Sequence, residues 1–286
     1  MKPRLVFLGT SGTMSHYVLS NLFKHYDIHG VVESKTKQNS LFLRIMGNVF
    51  NIFNHKNVFN FSHKNKLPYL KLSKENSIEL QFFLDKIKPD IVCICSFSFL
   101  LDAKILERKD CVFINAHPSF LPDYRGPNPL FWHYYNMEEY TGVTVHLVDG
   151  SEDGGDIINQ RKIKLTLGER SDLIQKQIAN ESFLLLSKAI RDIQNNELVS
   201  VPQIATNSKK RARRVKISEK FIDWNSWSSK RVFNFLSGTG SSDFIVKSFF
   251  QKHFFSFIPT SYKMCEINKE IDLGKIYKYK KNYFLF

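Results

Sequence analysis

An asparagine and a histidine stand two residues apart in the stretch INAHPSFLPDYRG, residues 114–126. Alternate residues of a β-strand point to the same side, so Asn115 and His117 are expected to project into one cleft where a strand ends. Pro118 restricts the histidine to an extended backbone and thereby fixes the position of its imidazole. A fixed amide and imidazole can stabilise a developing negative charge and move a proton. We interpret this stretch as one half of an active site.

The second half is predicted in VDGSEDGGDII, residues 148–158, which follows the apolar run GVTVHLV. It places several carboxylates among glycines, and glycine lets a backbone turn tightly and approach a ligand. An aspartate in such a loop can orient and charge a histidine on a neighbouring strand. Either half alone is a weak signal. An Asn-x-His pair also occurs at ordinary strand ends, and an acidic glycine loop also serves as a plain turn or a weak cation site.

The elements that must position both halves alternate along the chain. Strands are predicted at residues 4–9, 28–34, 90–99, 112–117 and 142–148, and helices at 15–26, 77–89 and 172–198. This alternation predicts an α/β fold with a Rossmann-like, mainly parallel sheet. Such sheets bind ligands at the carboxyl ends of their strands, where both halves of the predicted site fall.

A domain boundary is predicted near residue 205, where an extended basic linker begins. Residues 1–205 are expected to form the catalytic domain, and residues 206–286 a small basic β-rich domain after a short helix at 228–240. The second part carries seventeen Lys and Arg against six Asp and Glu, in a chain whose net charge is +14. An asymmetric basic end suggests a polyanionic partner, although a solvated Lys-rich surface explains it equally well.

Several classes of protein are not expected from the composition. The chain has 43% hydrophobic residues, enough for a core. No apolar run reaches the roughly 18 residues of a membrane span. The apolar part of the N-terminal MKPRLVFLGTSGTM is only about five residues, too short for a signal peptide, so a cytoplasmic protein is expected. The four cysteines form no C-x-x-C pairs and are expected to be buried thiols, not zinc ligands.

One apolar segment, residues 41–61, is difficult to place in this scheme. Its apolar residues at 42, 45, 46, 49, 50 and 53 form a helical stripe. The stripe could pack on the main domain, close over a substrate or touch a membrane surface. Few positive charges lie in it, so core or lid packing is favoured over binding to anionic lipid.

Taken together, the two halves resemble the formyltransferases that use 10-formyltetrahydrofolate. That family includes methionyl-tRNA formyltransferase, glycinamide ribonucleotide transformylase and the sugar N-formyltransferases. Its motif N-x-H-x-S-x-L-P is matched by residues 115–122, and its D-x-G loop by Asp153 and the two residues after it. YRGPNPLFW and TGVTVHLVD are also similar, and the resemblance runs from residue 1 to about 200 and on through FIDW.

The resemblance implies that Asn115, His117 and Asp153 are catalytic. An acceptor amine would attack the formyl carbon, and His117, held by Asp153, would donate a hydrogen bond or proton to the formyl oxygen. Asn115 would donate a second hydrogen bond, and Asp153 or a water would relay the proton of the amine. The formyl donor is expected to be 10-formyltetrahydrofolate, and no metal is expected to be required.

The resemblance also implies binding residues. The candidate folate-binding residues are Ser98, Phe99, Leu100, Leu101, Ser119, Phe120, Leu121, Pro122, Asp149, Gly150, Ser151 and Glu152. The Leu121–Pro122 peptide bond is expected to be cis. The candidate acceptor-binding residues are Gly9, Thr10, Ser11 and Gly12, in a loop that lacks a full dinucleotide fingerprint and is not expected to bind a nicotinamide cofactor.

Two acceptors compete in this interpretation. The basic run KKRARR, residues 209–214, favours methionyl-tRNA. Against tRNA, the apolar segment replaces a basic insertion loop of the tRNA enzymes, and SGTGSSDF replaces a P-W-P-G-A-like stretch. The chain also ends at KNYFLF, where the family's barrel adds further strands, so an incomplete or differently built small domain is expected. These departures favour a nucleotide-linked amino sugar.

Three further possibilities stay open at this stage. A relative that binds folate or RNA without catalysis would also carry these motifs. Hydrolysis of the formyl donor to formate needs only water in place of the amine. The tail or the segment 41–61 could form the contact of a homodimer.

Overall fold

The computed structural model describes residues 2–35, 57–72, 77–204, 210–223 and 225–239. It also gives the backbone of four short strands, β8 (Val246–Lys247), β9 (Phe254–Phe255), β10 (Ile276–Tyr279) and β11 (Asn282–Leu285). The apolar stripe predicted between residues 42 and 53 lies outside the described residues.

The centre of the fold is a seven-stranded sheet with the order β3-β2-β1-β4-β5-β6-β7. Its strands are β1 (Leu5–Gly9), β2 (Ile28–Ser34), β3 (Tyr69–Leu72), β4 (Ile91–Cys95), β5 (Val112–His117), β6 (Tyr140–Leu147) and β7 (Ile157–Lys164). The pairs from β3 through to β5 are parallel, whereas β6 runs antiparallel to β5. The predicted Rossmann-like, mainly parallel sheet is confirmed.

Helices lie between the parallel strands, and further helices follow β5 and β7. They are α1 (Thr13–His25), α2 (Val58–Lys64), α3 (Ser77–Ile87), α4 (Ala103–Leu106), α5 (Pro129–Tyr135), α6 (Ser171–Gln194) and α7 (Ser229–Thr239), with a 3-10 turn at Ile217–Lys220. Local sequence sets several starts. Asn57 and Asp102 cap α2 and α4 through their side chains, and Pro129 is the first residue of α5. None of the helices in the described ranges is long and apolar enough to cross a bilayer.

The central strands are buried along their whole length. Every residue of β1 and of β4 is buried, as expected for parallel strands covered on both faces. Cys93, Cys95 and Cys111 lie in or beside this core as free thiols, which confirms the prediction for these three residues. Burial raises the pKa of Cys95 to about 12, so its thiol stays protonated and unreactive near neutral pH. The core holds the carboxyl ends of the strands in fixed positions.

The chain groups into two compact units. The first comprises residues 1–125, 142–163 and 176–211, and the second residues 126–141, 164–175 and 212–286. The first contains most of the sheet, and the second contains α5, α7 and the four short strands. In the second unit, Tyr135, Trp227 and Phe235 pack ring against ring. The boundary expected near residue 205 stays a prediction.

Three features of the sheet differ from the sequence analysis. β3 was not predicted, because its sequence YLKL is only four residues long and contains one buried residue. β7 was not predicted, because its sequence IINQRKIK neither alternates strictly nor forms an apolar run, and most of its residues are only partly buried or exposed. The antiparallel direction of β6 was not predicted either, because direction depends on where the chain between residues 118 and 139 returns to the sheet. That direction decides which side chains face the site.

Candidate active site

The paired strands β5 and β6 build the floor of the site. Asn115 and His117 lie at the carboxyl end of β5, and the antiparallel register sets Asn115 opposite His146 and His117 opposite Thr144. Directly opposed residues on antiparallel strands have side chains on the same face, close enough to touch. The register therefore adds a second imidazole to the pair that the sequence pattern predicted.

The acidic loop reaches this floor through a turn that only a few residue types can form. Asp153 adopts a φ of 52°, in the left-handed region. At Gly155 an added Cβ would lie 2.0 Å from the carbonyl oxygen of Leu147, so a side chain there would collide with the end of β6. Asp149 closes the loop by accepting hydrogen bonds from the amide and hydroxyl of Ser151 at 2.9 and 2.6 Å. Burial raises the pKa of Asp149, but these bonds outweigh it and leave the pKa below its ordinary value.

The three residues predicted to be catalytic come together. Asn115 Nδ2 lies 3.2 Å from Asp153 Oδ1, and His117 Nδ1 lies 3.4 Å from Asp153 Oδ2. His146 joins them, with its Nε2 3.0 Å from Asn115 Nδ2. The sequence analysis did not assign His146 a role. Its signal was the one ionisable side chain in the strand GVTVHLV, and only the antiparallel register shows that this side chain faces Asn115.

The hydrogen-bond partners fix the tautomers of both imidazoles. A carbonyl oxygen only accepts, so His117 Nε2 donates to the carbonyl of Tyr124 at 2.9 Å and His146 Nδ1 donates to that of Leu147 at 2.7 Å. The free lone pair of neutral His117 is therefore on Nδ1, facing Asp153. The lone pair of neutral His146 is on Nε2, which accepts a hydrogen bond from the Asn115 amide.

This arrangement also determines what Asn115 can do. Its Nδ2 carries two hydrogens, and these are directed at His146 Nε2 and Asp153 Oδ1. One of these bonds must open before the amide can donate to a ligand. Likewise, His117 must release the Tyr124 carbonyl before its Nε2 can donate to a formyl oxygen, the role expected from the sequence.

Burial dominates the electrostatics of His117. The residue is only 4% exposed. Desolvation lowers its pKa, and the nearby Asp153 carboxylate opposes this without overcoming it, so the pKa lies below its ordinary value. A lowered pKa favours the neutral ring, whose lone pair on Nδ1 can take up a proton.

The candidate folate-binding residues frame the same edge of the sheet. Those in the loop after β4 differ in exposure: Leu101 is buried in the core, while Leu100 is 53% exposed. The amide of Ser98 is engaged, because it donates to Ser34 Oγ at 2.9 Å. Phe99 packs edge-on against Phe97 at 5.8 Å. Contact between this loop and folate stays a prediction.

The segment after β5 is held by internal hydrogen bonds. The Leu121–Pro122 peptide bond is cis, as the resemblance implied. Ser119 is buried and donates to the carbonyl of Asp123 at 2.8 Å, and the amide of Leu121 donates to Thr144 Oγ1 at 3.0 Å. Phe120, also a candidate, lies under the ammonium of Lys162 at 5.1 Å. Ser119 and Leu121 thus shape the edge from within, and folate contact by this segment is untested.

The candidate acceptor loop follows β1. The amide of Thr10 donates to Ser15 Oγ at 3.1 Å, and that hydroxyl donates to the carbonyl of Cys95 at 3.0 Å. Gly12 is exposed and caps the start of α1. The Thr10 amide is thus not available to a ligand in this arrangement, whereas Ser11 and Gly12 lie at the surface of the loop. An acceptor role for Gly9–Gly12 stays a prediction.

No group of three or more His, Cys, Asp or Glu side chains within the described residues is placed to hold a metal ion.

An open α/β sheet with a polar cluster at the carboxyl ends of its strands defines the class of fold that binds small ligands at that edge. The family model described as formyl transferase matches residues 5–190. The chain belongs to the formyl transferase family.

Individual relatives share about 30% of their residues with this chain over part of its length. A bifunctional polymyxin resistance protein ArnA of Wigglesworthia glossinidia brevipalpis is 30% identical over 175 residues, 61% of this chain and 26% of that protein. A methionyl-tRNA formyltransferase of Alkaliphilus oremlandii is 31% identical over 156 residues, 54% of this chain and 50% of that enzyme. This chain thus spans half or less of the length of these two relatives.

Among solved structures, the sugar 3N-formyl transferase WlaRD, crystallised in the presence of dTDP and 5-N-formyl-THF, superposes with a TM-score of 0.63. The superposition covers 100% of this chain and 94% of that one at 17% identity. The likeness shows that the two proteins share a fold.

Proposed function

We propose that this protein transfers the formyl group of 10-formyltetrahydrofolate to an acceptor amine. The observation that carries the proposal is the cluster of Asn115, His117, His146 and Asp153, formed where the last residues of β5 pair with the last residues of β6 and joined by contacts of 3.0 to 3.4 Å. Membership of the formyl transferase family supports it.

The reaction needs a base and a donor of hydrogen bonds. The neutral amine attacks the formyl carbon, a carbon–nitrogen bond forms, and the bond from that carbon to N10 of the donor breaks. The amine loses a proton and N10 gains one, so no oxidant or reductant is needed. His117 Nδ1 is the ring nitrogen with a free lone pair, and it faces Asp153. A proton taken from the amine is therefore shared between these two groups.

Asn115 serves the formyl oxygen. As negative charge develops there, the amide exchanges one of its internal bonds for a bond to this oxygen. His146 keeps the other amide hydrogen engaged and prevents the group from rotating. Loss of one such donor typically reduces the rate by about 100- to 1000-fold.

We further propose that the acceptor is a nucleotide-linked amino sugar. Two of the arginines in the basic run at 209–214 are paired with carboxylates within the protein. Arg211 pairs with Glu152, Arg213 pairs with Glu219, and the guanidinium of Arg213 stacks on Trp132 at 4.5 Å. Arginines already paired with carboxylates attract phosphate weakly. The run is therefore less suited to a long polyanion than its sequence indicates.

Methionyl-tRNA is the second candidate acceptor. The relative with 31% identity is named methionyl-tRNA formyltransferase, and this sequence similarity favours methionyl-tRNA as the acceptor. The positive charge of residues 206–286 is compatible with a nucleic acid.

The deciding experiment supplies 10-formyltetrahydrofolate with two acceptors in parallel and follows release of tetrahydrofolate. One arm contains dTDP- and UDP-linked amino sugars, and the other contains charged initiator methionyl-tRNA. Turnover with a sugar alone is expected. Turnover with tRNA alone would replace the amino-sugar proposal by the second candidate. Release of tetrahydrofolate without an acceptor would indicate hydrolysis, and folate binding with no turnover in any arm would contradict catalysis.

A further inference from the structure

A glutamine outside both predicted motifs holds the acidic loop from behind. Gln203 Nε2 donates to the carbonyl oxygens of Asp153 at 2.9 Å and of Gly155 at 2.7 Å. These two carbonyls lie on either side of Gly154, directly after the φ of Asp153 that is left-handed. The side-chain amide of Gln203 therefore ties the backbone that leaves Asp153 to one point.

Gln203 is itself held in place by Arg125. Its Oε1 accepts from Arg125 Nε at 3.0 Å and from Arg125 Nη2 at 2.6 Å. The two hydrogens of the amide nitrogen and the acceptor sites of the amide oxygen are thus all engaged, and the side chain has one orientation. The segment that carries it is also fixed, because Val201 exchanges two backbone hydrogen bonds of 2.8 Å with Ile157 at the start of β7.

We propose that Gln203 and Arg125 form a clamp that positions Asp153 against His117. A left-handed backbone at a non-glycine residue is unfavourable and persists only where surrounding contacts impose it. The clamp supplies those contacts on the main chain of Asp153, and the carboxylate is thereby directed at Asn115 and His117. Gln203 and Arg125 are positioning residues in this proposal, which rests on the proposed formyl transfer.

The experiment compares three variants of the full chain. Gln203→Ala removes the clamp. Gln203→Glu keeps a partner for Arg125 but presents a carboxylate oxygen, which cannot donate, to the two carbonyls. Asn159→Ala is the matched control, because Asn159 also donates its amide to one backbone carbonyl, that of Leu185 at 3.3 Å, in the same structural unit but away from the acidic loop.

Two readouts separate positioning from general support of the fold. The first is kcat and KM for the formyl donor. Both Gln203 variants are expected to lose about 10- to 100-fold in kcat with KM little changed, because small misplacements of a reacting group reduce the rate by that order. Asn159→Ala is expected to keep the wild-type kcat.

The second readout is the NMR titration of the His117 ring, assigned with His117→Gln. The charged or titratable groups that influence this ring are Asp153, His146 and Glu152. Asp153 raises the pKa of His117, so release of the carboxylate is expected to lower that pKa in both Gln203 variants and not in the control.

The outcomes distinguish the clamp from the proposed function. Wild-type protein without turnover would contradict formyl transfer, and the titration would still test the clamp. A Gln203→Ala protein with unchanged kcat and an unchanged His117 titration would overturn the clamp. If Gln203→Ala does not fold, the pKa of His117 is measured in Gln203→Glu and in the milder Arg125→Lys instead. A His117 pKa equal to that of the wild type in both variants would reject the proposal.

Discussion

At the scale of single residues, the site combines burial with internal hydrogen bonds. His117 is buried, and the ring nitrogen that can take up a proton, Nδ1, faces the Asp153 carboxylate at 3.4 Å. Asn115 is held by one imidazole and the same carboxylate. The side chains of the cluster are therefore held in position before any ligand arrives, and only the internal bonds of Asn115 and His117 must be exchanged when the ligand binds.

Asp153 and Asp156 offer a matched pair of substitutions in one loop. Asp153→Asn is expected to reduce kcat by about 100- to 10,000-fold, because it removes the carboxylate that shares with His117 the proton taken from the amine. Asp156→Asn alters a carboxylate that contacts Ser200 at 3.4 Å instead of the cluster, and it is expected to keep activity. Steady-state release of tetrahydrofolate measures both. Equal losses in the two variants would show that the loop, not the position of the carboxylate, is what matters.

His146 is predicted to act through Asn115. In His146→Leu the amide loses the acceptor at 3.0 Å and can rotate away from the formyl oxygen, so kcat is expected to fall about tenfold. In His146→Gln a side-chain oxygen can accept the same hydrogen, and most of the activity should return. The measurement is kcat for both variants. Equal loss in the two would argue against an acceptor role for this imidazole.

The activity of the wild type should depend on pH through His117. The neutral ring is the proton acceptor, and burial lowers its pKa below the ordinary value of about 6.5. The rate constant kcat/KM is therefore expected to stay level through pH 7 and to fall only below about pH 6.5. Stability has the same sign, because a folded-state pKa below the unfolded one gives stability that is present above pH 6.5 and lost as the pH falls. A limb of kcat/KM above pH 7 that His117→Gln abolishes would contradict this assignment.

The sequence predicted Asn115, His117 and Asp153 because each stands at a fixed place in a short local motif. His146 and Gln203 could not be found in that way. The role of His146 depends on an antiparallel register that is set by the return of the chain to the sheet. That of Gln203 depends on the segment after α6 coming back against the acidic loop. Both are consequences of long-range contacts, which no local spacing encodes.

At the scale of elements, the sheet was predictable where burial is uniform. The strands β1 and β4 are short apolar runs between a helix and a turn, and the sequence locates them. The edge strand β7 carries polar residues on exposed positions and resembles a loop. The chemistry is carried by β5, β6 and the acidic loop between β6 and β7. Of these three strands, the sequence predicts β5 and β6 but not β7.

The close approach of the acidic loop to β6 can be tested at Gly155. In Gly155→Ala the new Cβ would collide with the backbone carbonyl of Leu147, so the loop must shift or the strand must end earlier. Stability is expected to fall by about 1–3 kcal/mol, measured by urea unfolding, and activity should fall more steeply than stability. Gly12→Ala, whose Cβ would meet only Thr10 Oγ1 at 3.5 Å, should leave the unfolding midpoint unchanged. Full activity in Gly155→Ala would show that the loop tolerates displacement.

At the scale of the whole molecule, charge is the property that most clearly separates the two acceptors. The net charge of +14 predicts attraction to any polyanion, and bulk tRNA should bind for that reason alone. Affinity for tRNA at low salt therefore cannot identify the acceptor. The internal pairs of Arg211 and Arg213 reduce what the basic run contributes to a specific complex.

The salt dependence of KM gives a sharper distinction. A nucleic acid that releases counterions from six to ten phosphate contacts loses about 10³- to 10⁵-fold in affinity between 50 and 200 mM salt. A sugar nucleotide offers only two phosphates, so its KM is expected to rise by less than about tenfold over the same range. Initial rates with each acceptor at both salt concentrations measure this, and Arg214→Ala serves as a probe of the basic run. A steep dependence with saturating turnover on methionyl-tRNA, flattened by Arg214→Ala, would show that the basic run binds the acceptor and that the protein is a tRNA enzyme. A shallow dependence with turnover on the sugar nucleotide, unaffected by that substitution, is the result that the paired arginines predict.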